Sequence, residues 1–149
     1  MAPPAVLLVD DDTEVREVLR DVLLASGFRV TTARSGEAAL AALQMRTFDA
    51  VVTDLWLPGA IDGWELRRRM LARPEWRRLP TVLTRVGADA GPPVAHLAPA
   101  ATLNKPIDPD ELAGTLRRVL GRPAEPRAEG RAAGARAVAS DEEPRCPSC

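Results

Sequence analysis

The chain has 149 residues, 46% of them hydrophobic and 28% charged, an ordinary composition for one globular domain with a hydrophobic core. Its formal net charge of -1 argues against a general affinity for nucleic acid or anionic membranes. The sequence has neither a run of about 20 apolar residues nor the basic-then-apolar start of a signal peptide. We therefore expect a cytoplasmic protein that does not insert into membranes.

Five short strands are predicted, each followed by a helical pattern. The predicted strands are residues 6–9, 28–32, 50–52, 81–83 and 100–103. Apolar spacing of i, i+3, i+4 and i+7 predicts helices after the first three strands. Gly27 is placed to end the first helix, and Ser35 can cap the second. Asp108, Pro109 and Glu111 form the clearest start signal, that of the last helix.

Two segments depart from this pattern. Between the fourth and fifth strands, Pro92, Pro93 and Pro99 leave room for only about a turn and a half of helix, because proline removes a donor and clashes with the preceding turn. From residue 122 the chain is rich in Ala, Gly, Arg, Pro and Glu, so we predict a folded domain at 1–121 and a disordered tail at 122–149. The tail ends in Cys146 and Cys149, which lack the second pair of ligands that a zinc site needs.

Alternating strands and helices predict an α/β fold, an open, doubly wound parallel sheet. Such sheets bind ligands beyond the carboxyl ends of their strands. Five polar residues follow or end the predicted strands and would meet at that edge: Asp10, Asp11, Asp54, Thr84 and Lys105.

The charges at this edge predict a chemistry. Three crowded carboxylates repel one another, and Mg²⁺ would relieve the repulsion, since it favours carboxylates, water and phosphate oxygens. Asp54, at a strand end, can act as a nucleophile toward phosphorus and form an acyl phosphate. Lys105 is the only lysine, against nineteen arginines, which indicates that this position needs a compact point charge.

Four motifs carry a resemblance to the receiver domains of two-component response regulators. They are VLLVDD at 6–11, TDLWLP at 53–58, Leu83-Thr84 and Lys105-Pro106. The resemblance covers about residues 5–120 and implies a five-stranded flavodoxin-like sheet in the order 2-1-3-4-5.

The resemblance also implies a role for each site residue. Asp54 corresponds to the phosphoacceptor, Lys105 to the phosphoryl partner ahead of a cis peptide, and Thr84 to the switch hydroxyl. The implied Mg²⁺ ligands are Asp10, largely through water, Asp11, Asp54 and the backbone carbonyl of Trp56.

Several residues depart from the family pattern. The stretch from Pro80 to Thr84 is one residue short, so a slipped register would put Arg85 at the switch position. Thr102 stands where an aromatic residue is common. With Thr84 as the switch residue, the resemblance implies that Trp56 and Val86 flank the route of water to phosphorus. Neither side chain can orient an attacking water, which predicts a long-lived phosphoryl group.

The favoured hypothesis is that the protein is a single-domain response regulator. It would be phosphorylated by a histidine kinase or phosphotransfer protein and would signal by binding an unknown output protein. It would be no enzyme beyond its own phosphorylation and dephosphorylation. The alternative is an interaction module that keeps the fold without using phosphorylation. A phosphoaspartate hydrolase is less favoured, because Trp56 cannot serve as a general acid. The basic run at 67–69 could meet an acidic partner, although such runs are typical of solvated helix faces.

Overall fold

Five parallel strands form one sheet in a computed structural model, which describes residues 2–87 and 93–121. The strands are β1 Ala5–Val9, β2 Arg29–Ala33, β3 Ala50–Asp54, β4 Thr81–Val86 and β5 Ala101–Lys105. Their order in the sheet is β2-β1-β3-β4-β5. The predicted fold class and strand order are thus confirmed.

Five α-helices and one short 3₁₀ turn accompany the sheet in the described residues. The helices are α1 Thr13–Ala25, α2 Gly36–Met45, α3 Gly63–Leu71, α4 Pro74–Arg77 and α5 Pro109–Val119, and the 3₁₀ turn is Ala95–Leu97. Side-chain caps fix the helix starts: Ser35 accepts from Ala38 N–H, and Asp108 accepts from Asp110 N–H. Both predicted caps are confirmed, and a further cap comes from Asp12 at the start of α1.

The sheet is covered on both faces, which explains why β1 is apolar throughout and β3 is apolar over its first three residues. Alternate strand residues such as Leu8 and Val52 pack with α1 and α5 on one face. Their neighbours, Leu7 and Val51, pack with α2 and α3 on the other. Helices on both faces leave the carboxyl edge of the strands as the place where polar side chains gather.

In the described part of the connection from β4 to β5, the helical structure is the 3₁₀ turn Ala95–Leu97, which is shorter than the usual crossover helix of such a sheet. This agrees with the effect predicted for the prolines. The one-turn helix α4 was not predicted. It follows α3 and begins at Pro74, whose fixed φ suits a first helical position.

The predicted tail at 122–149 and its two cysteines lie outside the described residues. None of the helices within the described ranges combines the length and apolarity that crossing a membrane demands.

Candidate functional site

The strands β1, β3, β4 and β5 end at the same edge of the sheet, which brings the side chains at and just after their ends together. β1 and β3 are neighbours, with Val9 opposite Thr53, so Asp10 follows β1 directly beside Asp54. The residues two positions before Asp10, Asp54 and Lys105 all pack on the face of the sheet that α1 and α5 cover. Because side chains alternate along a strand, Asp10, Asp54 and Lys105 start from the same face of the sheet.

The carboxylates form a tight cluster with a single ammonium. Oxygen atoms of Asp10, Asp11 and Asp54 lie within 4.8 Å of one another. Lys105 Nζ lies 2.8 Å from Asp54 Oδ2 and 3.1 Å from Asp10 Oδ2. Asp10 and Asp54 are buried, whereas Asp11 is exposed. Three carboxylates against one ammonium leave an excess of negative charge at the edge of the sheet.

Backbone groups hold the two buried carboxylates in place. Asp10 Oδ1 accepts a hydrogen bond of 2.9 Å from the N–H of Asp12, and Arg16 donates to the carbonyl of Asp10 at 2.7 Å. Asp54 Oδ1 accepts from the N–H of Trp56 at 3.3 Å. Both oxygens of Asp54 therefore have a donor, one from the backbone and one from Lys105.

The surroundings move the pKa of both members of the central pair. Burial raises the pKa of Asp54, and the hydrogen bond and charge of Lys105 only partly oppose this, while the charge of Asp10 adds to it. Burial alone would lower the pKa of Lys105, but its hydrogen bonds and charge contacts with Asp54 and Asp10 raise it. Two carboxylates thus favour the protonated form of Lys105, and burial disfavours ionisation of one of them, Asp54.

Thr84 lies beside the acceptor candidate. It is the register partner of Asp54 across β3 and β4, and it is buried. Arg85 is opposite Asn104 in β5, and alternation directs its side chain to the other face of the sheet from Thr84. Of the two candidates for the switch position, Thr84 is therefore on the same face as Asp54.

Two exposed side chains follow site residues by two positions, Trp56 after Asp54 and Val86 after Thr84. Trp56 is 52% exposed, and its ring packs edge-on against Trp64 with ring centroids 4.5 Å apart. Val86, at the end of β4, is 60% exposed. These are the residues that were predicted to flank the route of water.

Sequence reasoning missed two residues that shape this region. A Cβ on Gly63 would lie 2.2 Å from the carbonyl oxygen of Asp54, so only glycine lets α3 begin against the end of β3. The signal available was the Asp62-Gly63 pair, since Asp62 caps the helix. Arg67 is buried, so the interpretation of residues 67–69 as a solvated face is wrong for this residue.

The donor set fits a hard divalent cation. Carboxylate oxygens from Asp10, Asp11 and Asp54 are the ligand type that Mg²⁺ prefers, and the exposed position of Asp11 leaves the cluster open to water. Lys105 neutralises only part of the negative charge of the three carboxylates, and the remaining negative charge favours the binding of a cation.

Fold and site together define a doubly wound α/β domain with an acidic, lysine-containing pocket at the carboxyl edge of its sheet. Residues 6–117 match the response regulator receiver domain, and the chain belongs to this family. Phosphotransfer and Mg²⁺ binding at the acidic site are general properties of the family.

Two curated relatives illustrate the contexts in which similar sequences occur. The phosphate regulon transcriptional regulatory protein PhoB of Rhizobium meliloti is 35% identical over 121 residues, which cover 80% of this chain and 53% of PhoB. The virulence sensor protein BvgS of Bordetella pertussis is 39% identical over 128 residues, which cover 81% of this chain and 10% of BvgS. The chain thus spans about half of the first relative and a tenth of the second.

Solved structures share the fold. The receiver domain of the sensor histidine kinase PA1611 from Pseudomonas aeruginosa, with a magnesium ion coordinated in its active site cleft, is 29% identical with a TM-score of 0.74; the match covers 80% of this chain and 99% of that one. The chemotaxis response regulator CheY4 of Vibrio cholerae is 26% identical with a TM-score of 0.71, covering 78% and 98%.

Proposed function

We propose that this receiver accepts a phosphoryl group on Asp54 from a histidine kinase or phosphotransfer protein, in a Mg²⁺-dependent reaction, and signals by binding an output protein. One observation carries the proposal. The only lysine of the chain reaches the buried carboxylate of Asp54 at 2.8 Å, beside two further carboxylates. Phosphoryl transfer to the protein needs a nucleophile, a fixed cation and a metal ion. Asp54, Lys105 and the carboxylate cluster would supply the nucleophile, the cation and the metal site.

The proposed step is a simple group transfer. A carboxylate oxygen of Asp54 attacks phosphorus while the bond from phosphorus to the donor histidine nitrogen breaks. The bonding electrons stay on the imidazole, which then takes up a proton from solvent. The protein supplies position and charge neutralisation, which is most of what phosphoryl transfer requires.

Each neighbouring residue has a part in this proposal. Lys105, which now contacts Asp54, needs little movement to pair with a phosphoryl oxygen instead. Thr84 would donate its hydroxyl to another oxygen, and its register beside Asp54 supports this role over one for Arg85. Asp10, Asp11, Asp54 and the carbonyl of Trp56 would hold Mg²⁺, which would neutralise charge on the transferring group.

The organisation of the whole protein belongs to the same proposal. Residues 1–121 would form the receiver domain, in the cytoplasm, and residues 122–149 a tail. The names of the relatives describe a transcriptional regulator and a virulence sensor, so the family serves different outputs. For this chain we propose an output through contact with another protein and no direct reading of nucleic acid.

Intact mass measurement after incubation with a small phosphodonor tests the proposal. With Mg²⁺ the wild type should gain the mass of one phosphoryl group, and a chelator should prevent this. Asp54→Asn should gain nothing while keeping the circular dichroism of the wild type. Labelling of Asp54→Asn would refute the acceptor assignment. A wild type that stays unlabelled by phosphodonor and by histidine kinases would indicate the phosphorylation-independent interaction module.

A further inference from the structure

A groove on the face of the domain formed by α2, α3 and α4 has no part in the phosphoacceptor site. It has a volume of about 230 Å³ and is lined by Leu40, Gln44, Arg69, Ala72, Arg73 and Trp76. Its apolar part comes from Leu40, Ala72 and the largely buried Trp76. The guanidinium of Arg73 lies over the Trp76 ring, 4.4 Å from its centroid. The groove is therefore apolar inside and cationic at its rim.

The surface around the groove is strongly basic. Residues 63–79 contain six arginines and two glutamates, and of the arginines only Arg67 is buried, so five exposed arginines face two carboxylates. Arg69 pairs with Glu65 at 2.8 Å, and Arg73 pairs with Glu75. Pairs between side chains this exposed are weak, and each guanidinium keeps donors for another acceptor. This face suits an acidic ligand with one aliphatic anchor.

The chain itself contains a segment of that chemistry. Val138 is the only aliphatic residue larger than alanine after Gly121, and Asp141, Glu142 and Glu143 follow it closely. The other run of three consecutive acidic residues is 10–12, at the phosphoacceptor site. A valine side chain is small enough for the groove, and three carboxylates complement its arginine rim.

The connection is long enough for this segment to reach the groove. Val138 is seventeen positions after Gly121, and at about 3.3–3.6 Å per extended residue this distance along the chain spans roughly 56–61 Å. As a flexible chain the same stretch would have a typical end-to-end distance of roughly 21–25 Å. A domain of this size has a radius of gyration of about 13 Å, so the groove lies within reach.

We propose that the segment 138–143 docks in this groove within the same molecule. Val138 fills the apolar part against Leu40 and Trp76, and the acidic residues pair with Arg69 and Arg73. The tether gives the segment a millimolar effective concentration, which makes weak ion pairs sufficient. Docking is independent of phosphorylation at Asp54, and an acidic partner would have to displace the tail to use this face.

The two cysteines of the chain allow a direct test, because both lie in the tail. A nitroxide on Cys146 in a Cys149→Ser background leaves the domain unaltered. In ¹⁵N NMR spectra at low salt, the amide signals of residues 69–73, 75 and 76 should weaken by about twofold or more relative to the protein with reduced label, and the effect should fade at high salt. Unweakened signals at low salt would overturn the proposal.

Charge reversal and its rescue separate docking from random tail contact. The weakening should be abolished by the combination of Asp141→Lys, Glu142→Lys and Glu143→Lys. It should persist in a control that carries Glu125→Lys and Glu129→Lys elsewhere in the tail. Adding Arg69→Glu and Arg73→Glu to the reversed tail should restore it, with thermal melting used to confirm folding. Equal loss in both tail variants, or no rescue in the folded combination, would refute the charge pairing.

A mixing experiment distinguishes the two possible sources of the tail. Isotope-labelled protein without nitroxide is combined with unlabelled protein that carries it. Intramolecular docking predicts no weakening in this mixture at micromolar concentration. Weakening in the mixture as strong as in the single protein would mean that the tail of a second copy docks, which would overturn the intramolecular proposal.

Discussion

At the scale of single residues, the geometry assigns one ammonium to two buried carboxylates. Lys105 Nζ lies within 3.1 Å of both Asp10 and Asp54. A guanidinium is planar and wider, and it could not take the same place between these oxygens. The presence of a lysine in a chain that otherwise uses arginine agrees with this geometric demand.

Lys105→Arg should therefore impair signalling nearly as much as Lys105→Ala. Charge is kept in the first variant and lost in the second, but neither provides a point charge beside Asp54. The measurement is the increase in affinity for an output protein on phosphorylation. We expect this increase to be at least about tenfold smaller in each variant than in the wild type. Arg118→Lys, on the exposed side of α5, serves as the control. Wild-type behaviour of Lys105→Arg would contradict the geometric account.

Trp56 should slow the loss of the phosphoryl group. Its indole packs against Trp64 at the edge of the site and offers an attacking water no acceptor. Trp56→Asn should therefore speed hydrolysis, by about tenfold if an oriented water is gained. The decay of the phosphorylated form by intact mass gives the rate, with Arg73→Ala as the distant control. If Trp56→Asn and wild type decay alike, water access is not limited at this residue.

At the scale of elements, some features were predictable and others were not. β1 and the first three residues of β3 are apolar and buried, and Ser35 and Asp108 are typical caps, so apolar runs and capping signals were sufficient to predict these elements. The single turn of α4 has too short a pattern to detect. Arg67 carries no local sign of burial, because its closest acceptors lie between 14 and 31 residues further along the chain.

Arg67 joins α3 to the start of β4 and to the 3₁₀ turn. It donates to the carbonyls of Leu97 at 2.9 Å and Ala98 at 3.1 Å, and to the hydroxyl of Thr81 at 2.9 Å. Burial lowers the pKa of Arg67, but a guanidinium remains charged at neutral pH. Hydrogen bonds from this side chain thus fasten α3 to the 3₁₀ turn and to the start of β4.

Arg67→Met should lower the free energy of unfolding by about 1–3 kcal/mol, because buried carbonyls lose their donor. Urea denaturation measures the change. The matched control is Arg68→Met, one residue along the same helix and exposed, which should change stability by less than about 0.5 kcal/mol. Equal effects of the two substitutions would show that the hydrogen bonds of Arg67 contribute little.

At the scale of the whole molecule, ionisation of the buried Asp54 lowers the stability of the metal-free protein. The folded pKa of Asp54 is raised above its unfolded value, chiefly by burial. The folded state therefore binds this proton more tightly than the unfolded state does. Stability associated with Asp54 is fully present below the unfolded pKa, near 3.8, and is lost as pH rises through the folded pKa.

Asp54→Asn should accordingly raise the melting temperature at pH 7 in the presence of a chelator. The gain should shrink as pH falls toward the unfolded pKa of Asp54. Asp21→Asn, on the exposed side of α1, serves as the control substitution. Saturating Mg²⁺ should raise the melting temperature of wild type more than that of Asp54→Asn, through linkage. A wild type that melts identically with and without Mg²⁺ would argue against a metal at the cluster.

The most direct test of the central claim locates the phosphoryl group chemically. Borohydride reduces an acyl phosphate to an alcohol, which converts a phosphorylated aspartate into homoserine. After incubation with a phosphodonor and Mg²⁺, peptide mass spectrometry should find homoserine at position 54 of the wild type. Homoserine at Asp10 or Asp11 instead, or its absence from a protein that carries the added mass, would contradict Asp54 as the acceptor.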